Sequence, residues 1–221
     1  MAERGVIVEF DFTVLNGAEL LFQTAKRFLA QLDNIAFDEK IEARYLSGAN
    51  YLTGFERLFP VAKTKKTPQK AARDFTAAFS AAVTEAVPSA VGVSFKNFVK
   101  ALTDKGLKVV IATRADLDAV RLAFLPILGD RVVLHHEIST CYGAARADSW
   151  RRACRTGGLS HPSALALTGS GHGVKAALVA GMGSMAVVND RVAYQDFGGA
   201  DGVLNELSGK TAKRVLDRLG L

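Results

Sequence analysis

Apolar and polar residues recur along this chain with two different periods, and the change of period divides it. Val6, Ile7 and Val8 open a short β-rich run that passes directly into Glu9, Asp11 and Thr13. Leu20, Leu21, Ala25, Phe28, Leu29 and Leu32 then recur every three or four residues, which predicts a helix over about 17–33. Ile41, Tyr45 and Leu46, then Tyr51, Leu52, Phe55 and Leu58, predict shorter helices within 37–60, with Pro60 as the stop. The basic stretch 62–70 reads as a loop. Thr67-Pro68 supplies an N-cap and a first-turn proline for a helix through Phe75, Phe79, Val83 and Ala86, which Pro88 closes. No strand pattern falls between 17 and 88, so this block reads as a helical insertion.

Beyond it, strands and helices alternate. Phe95, Phe98, Val99 and Leu102 make an amphipathic helix that Lys105-Gly106 stops. Leu107–Ala112 is a continuous apolar run, as expected of a strand buried on both faces. A helix over 116–127, a strand at Val132–Leu134 and a helix over about 147–157 follow. Next come a strand at Ser163–Leu167, a helix at Val174–Ala180 and a strand at Met185–Asn189. Two short helices, about 201–208 and 210–219, close the chain. This order predicts an α/β fold with a three-layer, parallel, Rossmann-like sheet. Residues 1–16 and 89–221 would form its core, with 17–88 as an all-helical insertion.

Composition narrows the function classes. Hydrophobic residues make up 49% of the chain, enough for a buried core, yet no uninterrupted apolar run is long enough to span a membrane. The opening Met-Ala-Glu-Arg-Gly lacks the basic and apolar segments of a signal peptide. Cys141 and Cys154 have no metal-ligand spacing and form no disulfide framework, so a reduced, cytoplasmic compartment is the simplest expectation. The net charge of +6 gathers around Lys63–Arg73, Arg146–Arg155 and Lys210–Arg218 without interleaved aromatics or a nucleic-acid motif. These clusters read as solvated faces, or as attraction for an anionic small molecule.

Candidate chemistry lies at the carboxyl ends of the strands, where open α/β sheets bind ligands. Three ends carry polar groups: Glu9, Asp11 and Thr13; Thr113 and Arg114; Thr168, Gly169 and Ser170. Residues two apart on a strand share a face, so Glu9, Asp11 and Thr13 would point the same way. Two carboxylates that close repel, which leaves a metal, a basic partner, proton-transfer chemistry or a plain polar turn as readings.

The stretch Gly5–Gly17 resembles motif I of the haloacid dehalogenase-like (HAD) phosphohydrolases, an apolar strand followed by Asp-x-Asp-x-Thr, with Glu9 standing at the first Asp. Val109-Val110-Ile111-Ala112-Thr113 is similar to motif II. Leu165–Met182 is similar to the motif IV region through Ser170, Gly173-Val174, Ala176-Ala177 and Ala180-Gly181-Met182. Residues 143–150 resemble motif III, with Asp148 in place, Ala144 at the basic position and Arg146 as a nearby substitute. The insertion 17–88 matches the helical cap of the phosphoglycolate phosphatase/β-phosphoglucomutase-like branch. Ala200-Asp201-Gly202-Val203-Leu204 is similar to a segment preceding that family's last helices.

What the resemblance implies is a Mg²⁺-dependent phosphatase. Glu9 would sit at the nucleophile, Asp11 at the acid/base, and Thr13, Thr113, Arg114 and Ser170 around the phosphate. Glu9 and the Asp11 carbonyl would remain as metal ligands, weakened because Gly169 replaces the motif IV Asp. Three altered parts favour a degenerate site kept as a binding or regulatory module. An alternative is an active phosphatase acting on a small phosphate monoester with rearranged parts, including Arg146 or Lys175 and His172. A further alternative is an anion-binding protein using Thr113, Arg114, Ser170 and the amides of turn 169–173. His135, His136 and His161 read as structural or surface residues.

Overall fold

The computed structural model describes residues 3–48, 50–136 and 146–221. Its sheet contains β1 (Gly5–Glu9), β2 (Lys108–Thr113), β3 (Val132–His136), β4 (Ala164–Thr168), β5 (Gly183–Val187) and β6 (Gly202–Leu204). All neighbours pair in parallel, in the order β3-β2-β1-β4-β5-β6. The strand order reverses at β1, and that reversal opens the crevice in a doubly wound sheet.

The continuous apolar runs are explained by burial on both faces. Val6, Val8, Val109, Ile111, Leu165 and Leu167 pack to one side. Ile7, Val110, Ala112, Ala164 and Ala166 pack to the other, against Trp150, Ala153, Cys154, Ala177 and Met182. The second face is covered by α8 (Ala147–Gly157) and α9 (Gly171–Ala180); α6 (Val93–Thr103), α7 (Leu117–Phe124) and α10 (Gly209–Arg218) lie on the first.

Between β1 and α6 the chain forms a single helical turn, α1 (Phe10–Thr13), and four helices: α2 (Gly17–Asp33), α3 (Glu39–Tyr45), α4 (Tyr51–Ala62) and α5 (Pro68–Ala90). Their apolar stripes join the first face of the sheet in one continuous cluster, through Phe12, Leu15 and Phe79. Asn16, Asp38 and Asn50 cap α2, α3 and α4 with side-chain acceptors, as expected of these residue types.

Three sequence expectations are corrected. Pro60 and Pro88 do not end their helices: α4 runs on to Ala62 and α5 to Ala90. A proline within the final turn removes one hydrogen bond while its fixed φ remains helical, so packing of Phe59 and Val87 carries the helix past it. The segment predicted as a helix over 201–208 instead contains β6, which extends the sheet beside β5. A three-residue edge strand is too short to show an alternating pattern. Among the described residues, no single helix is long and apolar enough to cross a membrane.

Candidate active site at the strand ends

The polar strand ends converge around β1, with a geometry the alternation rule did not anticipate. β1 stops at Glu9, and the chain turns at once into α1. Asp11 and Thr13 therefore do not continue Glu9's strand face. The two acids part towards opposite neighbours of the central strand.

Asp11 turns to the β2 side. Its Oδ1 accepts from the Thr113 hydroxyl at 2.6 Å, and its Oδ2 from the Arg114 amide at 2.9 Å and Arg114 Nη1 at 3.3 Å. The side chains are 1% and 2% exposed, so this ion pair is sealed from solvent. The Arg114 guanidinium also lies over the rings of Phe12, at 5.3 Å, and Phe79, at 5.8 Å. Burial raises the Asp11 carboxyl above the ordinary carboxylate range, against the pull of Arg114 and of the hydrogen bonds from Thr113 and the Arg114 amide.

Glu9 turns to the β4 side. Its Oε2 accepts from the Thr168 hydroxyl at 2.5 Å and from the Gly169 amide at 3.4 Å. The Thr13 hydroxyl donates back to the Glu9 carbonyl at 2.9 Å.

The glycine-rich turn is likewise engaged within the chain. The Gly171 amide donates to Gln195 Oε1 at 2.9 Å, and the Gly173 amide to Ser170 Oγ at 3.0 Å, which caps α9. A Cβ added at Gly169 would fall 2.2 Å from the Phe12 carbonyl oxygen, so backbone fills the space a side chain there would need. The Asp11 carbonyl oxygen in turn lies 2.1 Å from where a Cβ on Gly17 would stand.

Where helices α2 and α3 meet the core, the crevice shrinks to a cavity of about 20 Å³ bordered by Phe12, Glu42, Gly169, Ser170, Arg191 and Gln195. Ligand pockets commonly occupy roughly 300–1,000 Å³, whereas one water needs about 10–15 Å³. This space holds a water, not a phosphate ester.

No protein-family model matches the sequence, and no curated protein matches it either. Solved structures do match. The β-phosphoglucomutase of Clostridium difficile superposes with a TM-score of 0.72 at 11% identity, over 99% of this chain and 97% of that one. A hydrolase of Pseudomonas syringae gives 0.69 at 16%, over 97% and 99%. CbbY of Rhodobacter sphaeroides, solved in complex with phosphate, gives 0.67 at 18%, over 96% of both chains. The fold is that of the HAD-like hydrolases with a helical cap.

Within this HAD-like fold, the sequence-nominated residues separate into two groups. Glu9, Asp11, Thr13, Thr113, Arg114 and Ser170 are all buried around the end of β1. Arg146 stands at the N-terminus of α8, half-exposed, with Nε 3.9 Å from Asp148 Oδ1. Lys175 pairs with Asp196 at 2.9 Å on the surface. The His172 ring lies against Gly48 of α3's trailing turn. Ala144 and Cys141 lie outside the described residues. His135 and His136 bond Thr156 and the Ala115 carbonyl. Thr168, already noted as a polar strand end, bonds Glu9 in the cluster, and Phe12 and Gln195 complete it without having been nominated; nothing local marked Gln195.

Proposed function

We propose that this HAD-fold chain is not a working phosphatase, and that its strand-end residues serve as an internally satisfied polar core in a binding or regulatory module. The observation that carries this reading is the Arg114–Asp11 ion pair, with Thr113 on the same carboxylate. A general acid/base must reach the proton it moves. Asp11 instead spends both oxygens on groups that would otherwise hold a phosphoryl oxygen.

Mg²⁺ fits this donor set poorly. It demands near-octahedral oxygen ligands, usually one or two carboxylates supplemented by waters and substrate phosphate. Here the Glu9 carboxylate accepts from Thr168 and Gly169, and the Asp11 carbonyl lies against Gly17. Position 169 has no room for a third acid. Among the described residues, no three His, Cys, Asp or Glu side chains gather as metal ligands. The Gly-rich turn also lacks the open amides of an anion cradle, since Gln195, Ser170 and Glu9 already take the bonds from Gly171, Gly173 and Gly169.

The test is a panel of phosphate monoesters incubated with protein and Mg²⁺, with Asp11→Asn in parallel. The expected result is release of phosphate no faster than without protein. Mg²⁺-dependent turnover that Asp11→Asn abolishes would overturn the reading in favour of a phosphatase with rearranged parts.

A further inference from the structure

A second arginine–carboxylate cluster lies where the helical block meets the core, and its stoichiometry differs from that of the buried pair. Arg191, in the segment following β5, reaches three carboxylates on two helices. Its Nε is 3.3 Å from Glu19 Oε2 on α2; Nη1 is 3.7 Å from Glu39 and Nη2 3.2 Å from Glu42, both on α3. The guanidinium also stacks over Phe22 of α2, with Cζ 4.1 Å from the ring centroid. The seam is continued by Ser47 and Tyr194, whose hydroxyls lie 3.3 Å apart, and by Asn189, which donates to Asn16 at 3.4 Å.

One guanidinium among three carboxylates leaves two negative charges in excess. Like charges this close disfavour joint ionisation, and the group furthest from water is the one that gives way. Glu39 is 69% exposed and Glu19 40%, whereas the Glu42 side chain is 10% exposed. The excess therefore falls on Glu42.

We propose that this seam is a proton-linked clasp: one proton taken up by the Glu42 carboxyl fastens α3 to the core segment around Arg191, and its release loosens that contact. Protonation keeps a carbonyl oxygen for Arg191 Nη2, leaves Arg191 to Glu19 and Glu39, and removes the repulsion between Glu42 and those two acids. The geometry agrees with the electrostatics. Burial, then the neighbouring Glu19 and Glu39, raise the Glu42 carboxyl from 4.5 to about 7, with Arg191 pulling the other way. Among the described residues, His172, on α9 against Gly48, and the phenol of Tyr194 are further titratable groups beside the seam, and Asp190 adjoins Arg191 in the chain.

Linkage gives the sign. A carboxyl whose pKa is higher in the fastened state binds its proton on closing, so closure is favoured as pH falls through about 7 and weakened as pH rises through it. Glu42 and Arg191 border the same small cavity as Ser170 and Gly169, and the clasp stands on its own whether or not the strand-end site is catalytic.

Hydrogen–deuterium exchange of the full chain, corrected for intrinsic rates, reads the clasp at amides 39–48 and 188–195. Protection there is expected to be roughly tenfold greater at about pH 6 than at about pH 8. It should become independent of pH in Glu42→Gln, which keeps the shape and His172. Equal protection of the wild-type seam at both pH values would overturn the proposal. So would a pH response that survives in Glu42→Gln, because it would belong to His172.

Discussion

Arg114 and Arg191 are both guanidinium groups beside carboxylates, and the contrast between them explains how one molecule contains a fixed polar core and a titratable seam. Among the described residues, Arg114 meets one Asp in a sealed interior, with a hydroxyl and a backbone amide also donating to that carboxylate. Arg191 meets three Glu side chains at the edge of the solvent, so charge is left over and a proton resolves it. Where charge and hydrogen bonds balance in the dry interior, an arginine becomes structural. Where they do not, pH acts on it.

The largest effect should come from breaking the balanced pair. Arg114→Met leaves the Asp11 carboxylate buried without its cation, and loss of one partner of such a pair costs about 3–5 kcal/mol. Urea denaturation should show that loss, and it should be smaller in the Asp11→Asn/Arg114→Met double variant, where neither charge remains. Placing at position 169 the acid that motif IV of the HAD-like hydrolases carries is predicted to harm the protein. Gly169→Asp must displace the Phe12 backbone, and overpacking of this kind costs about 1–3 kcal/mol with no gain of Mg²⁺-dependent turnover.

At the unbalanced cluster the effect depends on pH. The Glu42 pKa is raised on folding, so its contribution is fully present below about 4.5 and is lost as pH rises through about 7. Glu42→Gln should therefore stabilise the chain by about 1–3 kcal/mol near pH 8 and do little near pH 5, measured by denaturation at both values. The smallest effect is expected at Lys175. Its ion pair with Asp196 is exposed on both sides, so Lys175→Ala should change stability by no more than about 1 kcal/mol in the same assay.

Much of the architecture was legible because periodicity reports burial. The apolar runs 107–112 and 163–167 became β2 and β4, the stripe 17–33 became α2, and helix 147–157 became α8. The site was legible in membership but not in arrangement. Glu9, Asp11, Thr113 and Ser170 do gather, yet alternation placed both acids on one face of a strand. The backbone instead leaves the strand at Glu9 for the α1 turn, where the amides of Val14 and Leu15 both donate to the Phe10 carbonyl. Arg114 read as an anion contact at the end of β2. Its inward direction is decided by Asp11, Phe12 and Phe79, which are distant in sequence. Arg191 gave no signal at all, since its partners at Glu19, Glu39 and Glu42 are brought to it only by tertiary packing.

The central claim is that the strand-end groups are spent on one another and hold neither metal nor phosphate. Isothermal titration of the purified protein with Mg²⁺, followed by phosphate or beryllofluoride in its presence, tests it most directly. No saturable heat from either ligand is the predicted result. Saturable Mg²⁺-dependent binding that is lost in Asp11→Asn would contradict the account, because it would mean that Arg114 yields its place to a metal and a phosphoryl group.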